Sequence, residues 1–410
     1  SPTHPALVAY DYDDGSVRWT SPLSDFPGLH RRWVNGVVMA KLIEPTGGVR
    51  RGIFASNPAE FVAYADDGVR LWKRSTSDVV AGERIGHPSS LRLTPSGQLV
   101  TVTSGGWLVA LDPRDGRTTA ATRMDVKVPL RGRLQAGTFA WTKSPAVVGT
   151  ALYFVGAFRP DSPGLAPRRG NPVHVVRVTL DQPFRLDHVA IGAVRSGASP
   201  PVLVRGDGSV LVIAHAWSKS DHGFRPAITA VEGNPRDGLS IRWRSTLRLG
   251  PGDDVHAAPA LHPATGTLLV STLTGIHLFR DVGSLEGEIA APLPIPARSL
   301  VDSRTMPPIA IVRGGCPITL AFDHATDRLV GYTNLHATVG LASYAFLAAF
   351  ALTAGASGTL RPLWARPLAL SPFGLPGPGP GTTGQVAPFT WGRAEGLIVN
   401  TVMTGTHIFR

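Results

Sequence analysis

Short apolar runs broken by Gly, Pro and acidic turns recur along the whole chain, and their length and punctuation are those of β-strands. From Ala258 to Arg280 the sequence reads APALHPATGTLLVSTLTGIHLFR. An Ala-Pro start leads into an apolar strand, a polar turn, a second apolar strand, a Thr-Gly turn and a third strand closing on Phe-Arg. The same order returns from Ala387 to Arg410 as APFTWGRAEGLIVNTVMTGTHIFR, one residue longer in its first turn. Two copies of this kind describe three strands of a repeated sheet, and a repeat of this period points to an array built from one supersecondary unit.

A second signature supplies the outer strands: an alternating run, an acidic turn with Gly, and a strand closing on Trp. It reads VAYDYDDGSVRW from Val8 to Trp19, VAYADDGVRLW from Val62 to Trp72 and TAVEGNPRDGLSIRW from Thr229 to Trp243, and it is stretched to AAFALTAGASGTLRPLW from Ala348 to Trp364. VALDPRDGRTTA, from Val109 to Ala120, has the turn without the Trp. Gly after Asp makes a hairpin because it accepts positive φ, and period-two alternation suits half-buried strands. With these residues the chain resembles the quinoprotein-like propeller family, whose repeats carry an A-x-D-x-x-x-G-x-x-x-W motif with the Trp docked between neighbouring blades. Ala9, Asp11, Gly15 and Trp19 fit the motif, and Ala110, Asp112 and Gly116 fit in part.

The resemblance implies an all-β, seven-bladed β-propeller of four-stranded antiparallel blades, with eight blades as the alternative. The signatures divide one domain, 1–410, into blades near 33–76, 87–124, 143–190, 199–247, 257–292 and 316–368. The seventh combines 386–410 with 6–22, so that an N-terminal strand closes the ring. Closure removes the exposed sheet edges that template aggregation.

Composition narrows the classes. Hydrophobic residues make up 43% of the 410 and charged residues 17%, which supplies a large core and excludes a disordered chain. The net charge of +11 invites a nucleic-acid partner, but Arg31, Arg32, Arg50, Arg51, Arg131, Arg133, Arg168 and Arg169 are scattered and have no interleaved aromatics for base stacking. Nucleic acid is not expected. The single Cys316, before Pro317, excludes an internal disulfide and a cysteine metal cluster, and reads as a buried thiol. The uncharged stretch from Ala337 to Ser357 is long enough to span a bilayer as a helix, yet it carries two Gly and several Ser and Thr and falls where the repeat requires strand and turn. No membrane span is expected.

In a propeller the loops leading into the innermost strands commonly form the ligand-facing rim. Those loops carry Arg31, Arg32, His87, Lys143, Ser199, His256 and Gln385, a polar, cationic set suited to a small anionic or carbonyl-bearing ligand or to a protein partner. His256 follows Asp253 and Asp254, and an imidazole oriented by a carboxylate can act as acid or base. These three are the candidate catalytic residues, against the plainer reading of solvated rim side chains. His215, Asp221 and His222 are spaced too loosely for a metal site and read as a strand running into a long hairpin loop. His277 and His407 occupy the same position of the repeat, which argues for packing.

There is no G-x-S-x-G, H-E-x-x-H, Walker loop, G-x-G-x-x-G or C-x-x-C-H. The resemblance brings pyrroloquinoline quinone to mind, but family members that use it typically carry a Glu/Asn/Asp calcium set and often a vicinal cysteine pair. One cysteine rules out the pair, and no such set can be matched here. No cofactor is therefore expected, and a quinone dehydrogenase is the least favoured function. The leading expectation is a non-redox propeller that binds a ligand or protein at the channel mouth, outside the cytoplasm. The alternative is a cofactor-independent lyase, isomerase or cyclase, which the long insertions expected at Phe158–Pro172 and Ala216–Pro226 would serve as lids or binding loops.

Overall fold

The structure is a computed structural model. It describes residues 6–10, 17–22, 37–43, 47–130, 132–141, 145–161, 172–180, 184–193, 202–204, 209–218, 223–234, 238–246, 260–261, 268–272, 276–279, 311–313, 319–323, 328–339, 342–352, 360–371, 386–391, 394–401 and 405–409. The chain is all-β and forms two compact units, Ser1–Phe224 with Val231–Ile241, and Arg225–Ala230 with Arg242–Arg410.

The first unit opens on a hairpin, β1 (Ala6–Tyr10) and β2 (Val17–Pro22), where one closing strand was expected. A meander follows in the order β3 (Val37–Ile43), β4 (Val49–Ser56), β5 (Glu60–Ala65) and β6 (Arg70–Ser75). A 3-10 turn, Thr76–Asp78, capped by the Ser75 hydroxyl, leads out of it. The next meander is β7 (Arg92–Leu93), β8 (Leu99–Val102), β9 (Trp107–Leu111) and β10 (Thr118–Arg123). The third sheet holds β13 (Ala146–Val148), β14 (Ala151–Pro160), β15 (Pro172–Thr179) and β16 (Leu186–Ala193). It also carries an inserted ribbon, β11 (Asp125–Leu130) and β12 (Arg133–Trp141), whose second strand pairs with the end of β14. The fourth sheet is β17 (Val202–Val204), β18 (Val210–Ser218), β19 (Gly223–Asn234) and β20 (Gly238–Thr246). Ala216–Pro226, expected as a long loop, is therefore mostly strand, because β18 and β19 run on to Ser218 and from Gly223.

The second and third sheets bury both faces against their neighbours in sequence. On β8, Leu99 enters a core with Phe54, Phe61 and Trp72 of the preceding sheet, while Val100 and Val102 enter a second core with Phe139, Phe154 and Val176 of the following one. On β9, Val109 and Leu111 take the first side, Leu108 and Ala110 the second. A third core joins Tyr153, Val155 and Val175 to Val210, Val212 and Val231. Period-two geometry sends successive side chains to opposite faces, so a strand flanked by two sheets must be apolar throughout. This is why β5, read from the sequence as a half-buried outer strand, is buried at every position. β10, the last strand of its meander, returns to solvent along much of its length.

The docking implied by the motif is present twice. Trp19 Nε1 donates to the Asp66 carbonyl at 2.9 Å, and Ser21 Oγ donates to that of Gly68 at 2.8 Å. One sheet further on, Trp72 Nε1 donates to Pro113 O at 2.8 Å, and Arg74 Nε to Gly116 O at 3.4 Å. In both cases a last-strand Trp lies on the acidic Gly turn of the next sheet. The hairpin β1–β2 thus has the character of the third and fourth strands of a blade.

In the second unit the sheets are β21 (Ala260–Leu261), β22 (Leu268–Ser271) and β23 (Ile276–Phe279); β24 (Ile311–Arg313), β25 (Thr319–Asp323), β26 (Arg328–Val339), β27 (Ala342–Leu352) and β28 (Leu360–Ser371); and β29 (Val386–Trp391), β30 (Ala394–Thr401) and β31 (Gly405–Phe409). The uncharged stretch after Ala337 lies along β26 and β27, paired from Val330 with Ala351 to Val339 with Ala342. No helix among the described residues is long and apolar enough to cross a membrane. His277 faces Val270 and His407 faces Val399 in the same register of their sheets.

Candidate functional site

In an antiparallel four-stranded meander, the start of the first strand, the turn between the second and third and the end of the fourth share one edge of the sheet. The Trp-docking turns lie at the other. His87, just before β7, belongs to the first edge, and its backbone is fixed there by reciprocal bonds with the β8–β9 turn. His87 N donates to Ser104 Oγ at 2.8 Å and Ser104 N donates to His87 O at 2.8 Å. The next turn residue, Gly105, donates its N–H to Ile85 O at 3.1 Å. The imidazole is exposed, with Nδ1 3.3 Å from Pro58 O of the β4–β5 turn. That turn is held by Asn57, whose Oδ1 accepts from the N–H groups of Ala59 and Glu60 at 2.9 and 2.8 Å, as short polar turn residues commonly do.

From the third sheet, exposed Arg159 at the end of β14 donates Nη1 to Ser104 O at 3.2 Å. Three consecutive sheets thereby meet at one edge, and the Ser104 turn carries a cation and an imidazole on either side. Arg123, at the end of β10, lies close to Asp125 at 3.2 Å and to Asp161 at 3.1 Å. Both of these carboxylates are thus engaged, while no carboxylate pairs with Arg159 among the described residues. An edge of this kind attracts anions by charge and offers hydrogen-bond donors to them.

Of the candidate catalytic and ligand-binding residues, His87 is the one the structure describes. Arg31, Arg32, Lys143, Ser199, Asp253, Asp254, His256 and Gln385 lie outside the described residues, as do Asp221, His222 and Cys316. His215 is on β18. Among the described residues no three His, Cys, Asp or Glu side chains gather as a metal ion would need. Sequence reasoning passed over Ser104 and Arg159, which are separated from each other by 55 positions and have no local motif to announce them.

Further polar groups are buried. His174 on β15 is 3% exposed, with neither ring nitrogen hydrogen-bonded, and packs 5.0 Å from Phe139 and 5.1 Å from His188 between ring centroids. Desolvation, followed by the neighbouring His188, pushes its pKa down to about 3. His188 is also lowered by burial, against the opposing pull of Asp187. On the other face, Arg177 Nη2 meets Asp187 Oδ2 at 2.6 Å. Burial works against the Arg177 charge, and the Asp187 carboxylate and Tyr153 hydroxyl outweigh it, leaving the pKa raised. Glu60 is buried and paired with Lys73 at 3.0 Å. His174 and Arg177 sit inside the sheet stack, whereas Glu60 begins β5 at the turn whose Pro58 meets His87.

No family model and no curated protein matches the chain. Among solved structures it is similar to BamB from Moraxella catarrhalis, at 11% identity and a TM-score of 0.46, over 99% of this chain and 95% of that one. It is also similar to quinohemoprotein alcohol dehydrogenase ADHIIG from Pseudomonas putida HK5, at 11% identity and a TM-score of 0.46, over 87% and 69% of the two chains. The quinohemoprotein alcohol dehydrogenase from Comamonas testosteroni matches at 11% identity and a TM-score of 0.44, over 88% and 73%.

Proposed function

We propose that the chain is a non-redox binding propeller that takes an anionic ligand at the sheet edge built by His87, Ser104 and Arg159. The observation that carries this reading is the placement of exposed Arg159 against the Ser104 turn, with His87 bonded to the same turn and no carboxylate neutralising the guanidinium among the described residues. A cation held by backbone carbonyls, and not by acids, keeps its charge available to a partner. Arg31, Arg32 and Lys143 precede the first strands of their sheets as His87 precedes β7, and are proposed for the same rim on that sequence position.

The test is calorimetric titration of the full chain with inorganic phosphate, a dicarboxylate and a polyglutamate peptide, beside the variants Arg159→Ala and His87→Ala. At least one of the three anions is expected to bind, with affinity falling about tenfold in Arg159→Ala, the loss typical of an important interface side chain. Equal affinity in parent and Arg159→Ala would sink the reading.

A further inference from the structure

The ribbon β11–β12 is the one departure from the meander pattern in the described part of the first unit, and it rises from the edge that carries His87. β13 pairs with β14 at residues 151–153, and β12 continues along the same side of β14 from Gly156 to Pro160. Pro160 faces Gly137, so the residues of β12 before Gly137 have no β14 partner. From Arg133 to Ala136, β12 pairs with β11 alone. Asp161 N, which donates to Ala136 O at 3.0 Å, ties its base to the rim.

One face of the ribbon is packed, with Val128 in the core between the second and third sheets. The other is open. Pro129 lies opposite Leu134 and Lys127 opposite Ala136, so the open face combines Pro129, Leu134, Ala136 and Lys127. Leu134 is 67% exposed, among the most exposed large apolar side chains described. Lys127 and Arg133 are exposed, and among the described residues no carboxylate pairs with either, since Asp125 and Asp161 are taken by Arg123. β11 ends its sheet, and Pro129 and Lys127 on it are the residues that blunt an edge against strand addition. Recognition here therefore uses side chains. A lone Leu without a neighbouring aromatic is too little for stable lipid insertion, whereas an exposed apolar anchor on the same face as a cation suits a protein surface.

We propose that the ribbon and the His87–Arg159 rim together clasp an acidic peptide segment of a protein partner, with Leu134 and Pro129 meeting its apolar side chains and Lys127 and Arg159 its carboxylates. This rests on the anionic-ligand reading of the rim and names the ligand class. The experiment measures fluorescence anisotropy of the full chain with labelled peptides alternating Asp or Glu with Leu or Phe. The same peptides with Asn or Gln serve as one control, and phosphatidylserine-containing vesicles as another. The acidic peptides are expected to bind, more weakly as salt rises, and to lose about tenfold in affinity in Leu134→Ser and in Lys127→Glu, with the thermal midpoint unchanged. If Arg159→Ala weakens binding and the ribbon variants do not, the clasp is wrong and the rim reading stands. If neither set matters, or the amide peptides bind equally, both are wrong. Vesicle binding lost in Leu134→Ser would replace the peptide by a membrane and overturn the proposal.

Discussion

The indole N–H of Trp72 reaches the Pro113 carbonyl, and its ring lies where a side chain on residue 116 would begin. A Cβ on Gly116 would stand 2.6 Å from Trp72 Cε3, and the residue has φ of +71°. Gly47 has a similar φ of +83° but open space around it. The pair separates backbone strain from crowding. Gly47→Ala is expected to lose about 1 kcal/mol through its left-handed backbone alone. Gly116→Ala is expected to lose about 3 kcal/mol, because displacing the Trp ring adds an overpacking cost. Trp72→Phe should lose about 1 kcal/mol for the missing hydrogen bond, more if Pro113 O is left without a donor. Urea midpoints at constant m-value measure all three, and equal losses for the two Gly variants would refute the docking as the constraint. This docking was legible in the sequence because it uses residues at fixed spacing within a repeat, a Trp and an acidic Gly turn.

At the scale of strands, Arg177 and Asp187 face each other across β15 and β16, and the guanidinium also donates Nε to Oδ2 at 3.2 Å. The side chains are 7% and 14% exposed, whereas Arg185, 3.5 Å from the same carboxylate, is 53% exposed. Removing one partner of a buried pair leaves the other charge uncompensated, so Asp187→Asn is expected to destabilise by about 3 kcal/mol. Arg185→Ala should change stability by less than about 0.5 kcal/mol, as exposed pairs do. Replacing both partners, Arg177→Met with Asp187→Leu, should recover most of the loss; a double variant no more stable than Asp187→Asn would show that the pair does more than neutralise itself. The sequence made the meanders readable, since strands buried on both faces and Gly-bearing turns leave strong local signals. The ribbon was not readable in the same way. VKVPLRGRLQ alternates and turns at Arg131-Gly132 like any hairpin of the repeat, and only its pairing beyond the end of β14 shows that it is an insertion. The rim was less legible still, because Arg159 comes from a different sheet than His87 and Ser104 and meets them only after those sheets stack.

For the molecule as a whole, the buried imidazoles set how folding responds to acid. An unfolded His takes up a proton near pH 6.5, while His174 in the folded chain resists it down to about 3, first because of desolvation and then because His188 lies beside it. Between those values the unfolded chain binds more protons than the folded one. The stability associated with a neutral His174 is therefore fully present above pH 6.5 and is lost progressively as pH falls toward 3. Lowering the pH by two units within this window should weaken folding by about 2.7 kcal/mol through this residue alone, with a further loss from His188 in the same direction. His174→Leu keeps a side chain of similar volume against Phe139 and removes the titration. Its urea midpoint should lie close to that of the parent at pH 7.5 and clearly above it at pH 4.5, where the parent has begun to lose stability and the variant has not. The proton uptake on unfolding, obtained from the slope of stability against pH, should fall by about one in the variant over this window. Parallel curves for the two proteins would mean that His174 is already protonated or solvated in the fold, and that the two sheets meeting around Phe139 do not exclude water there.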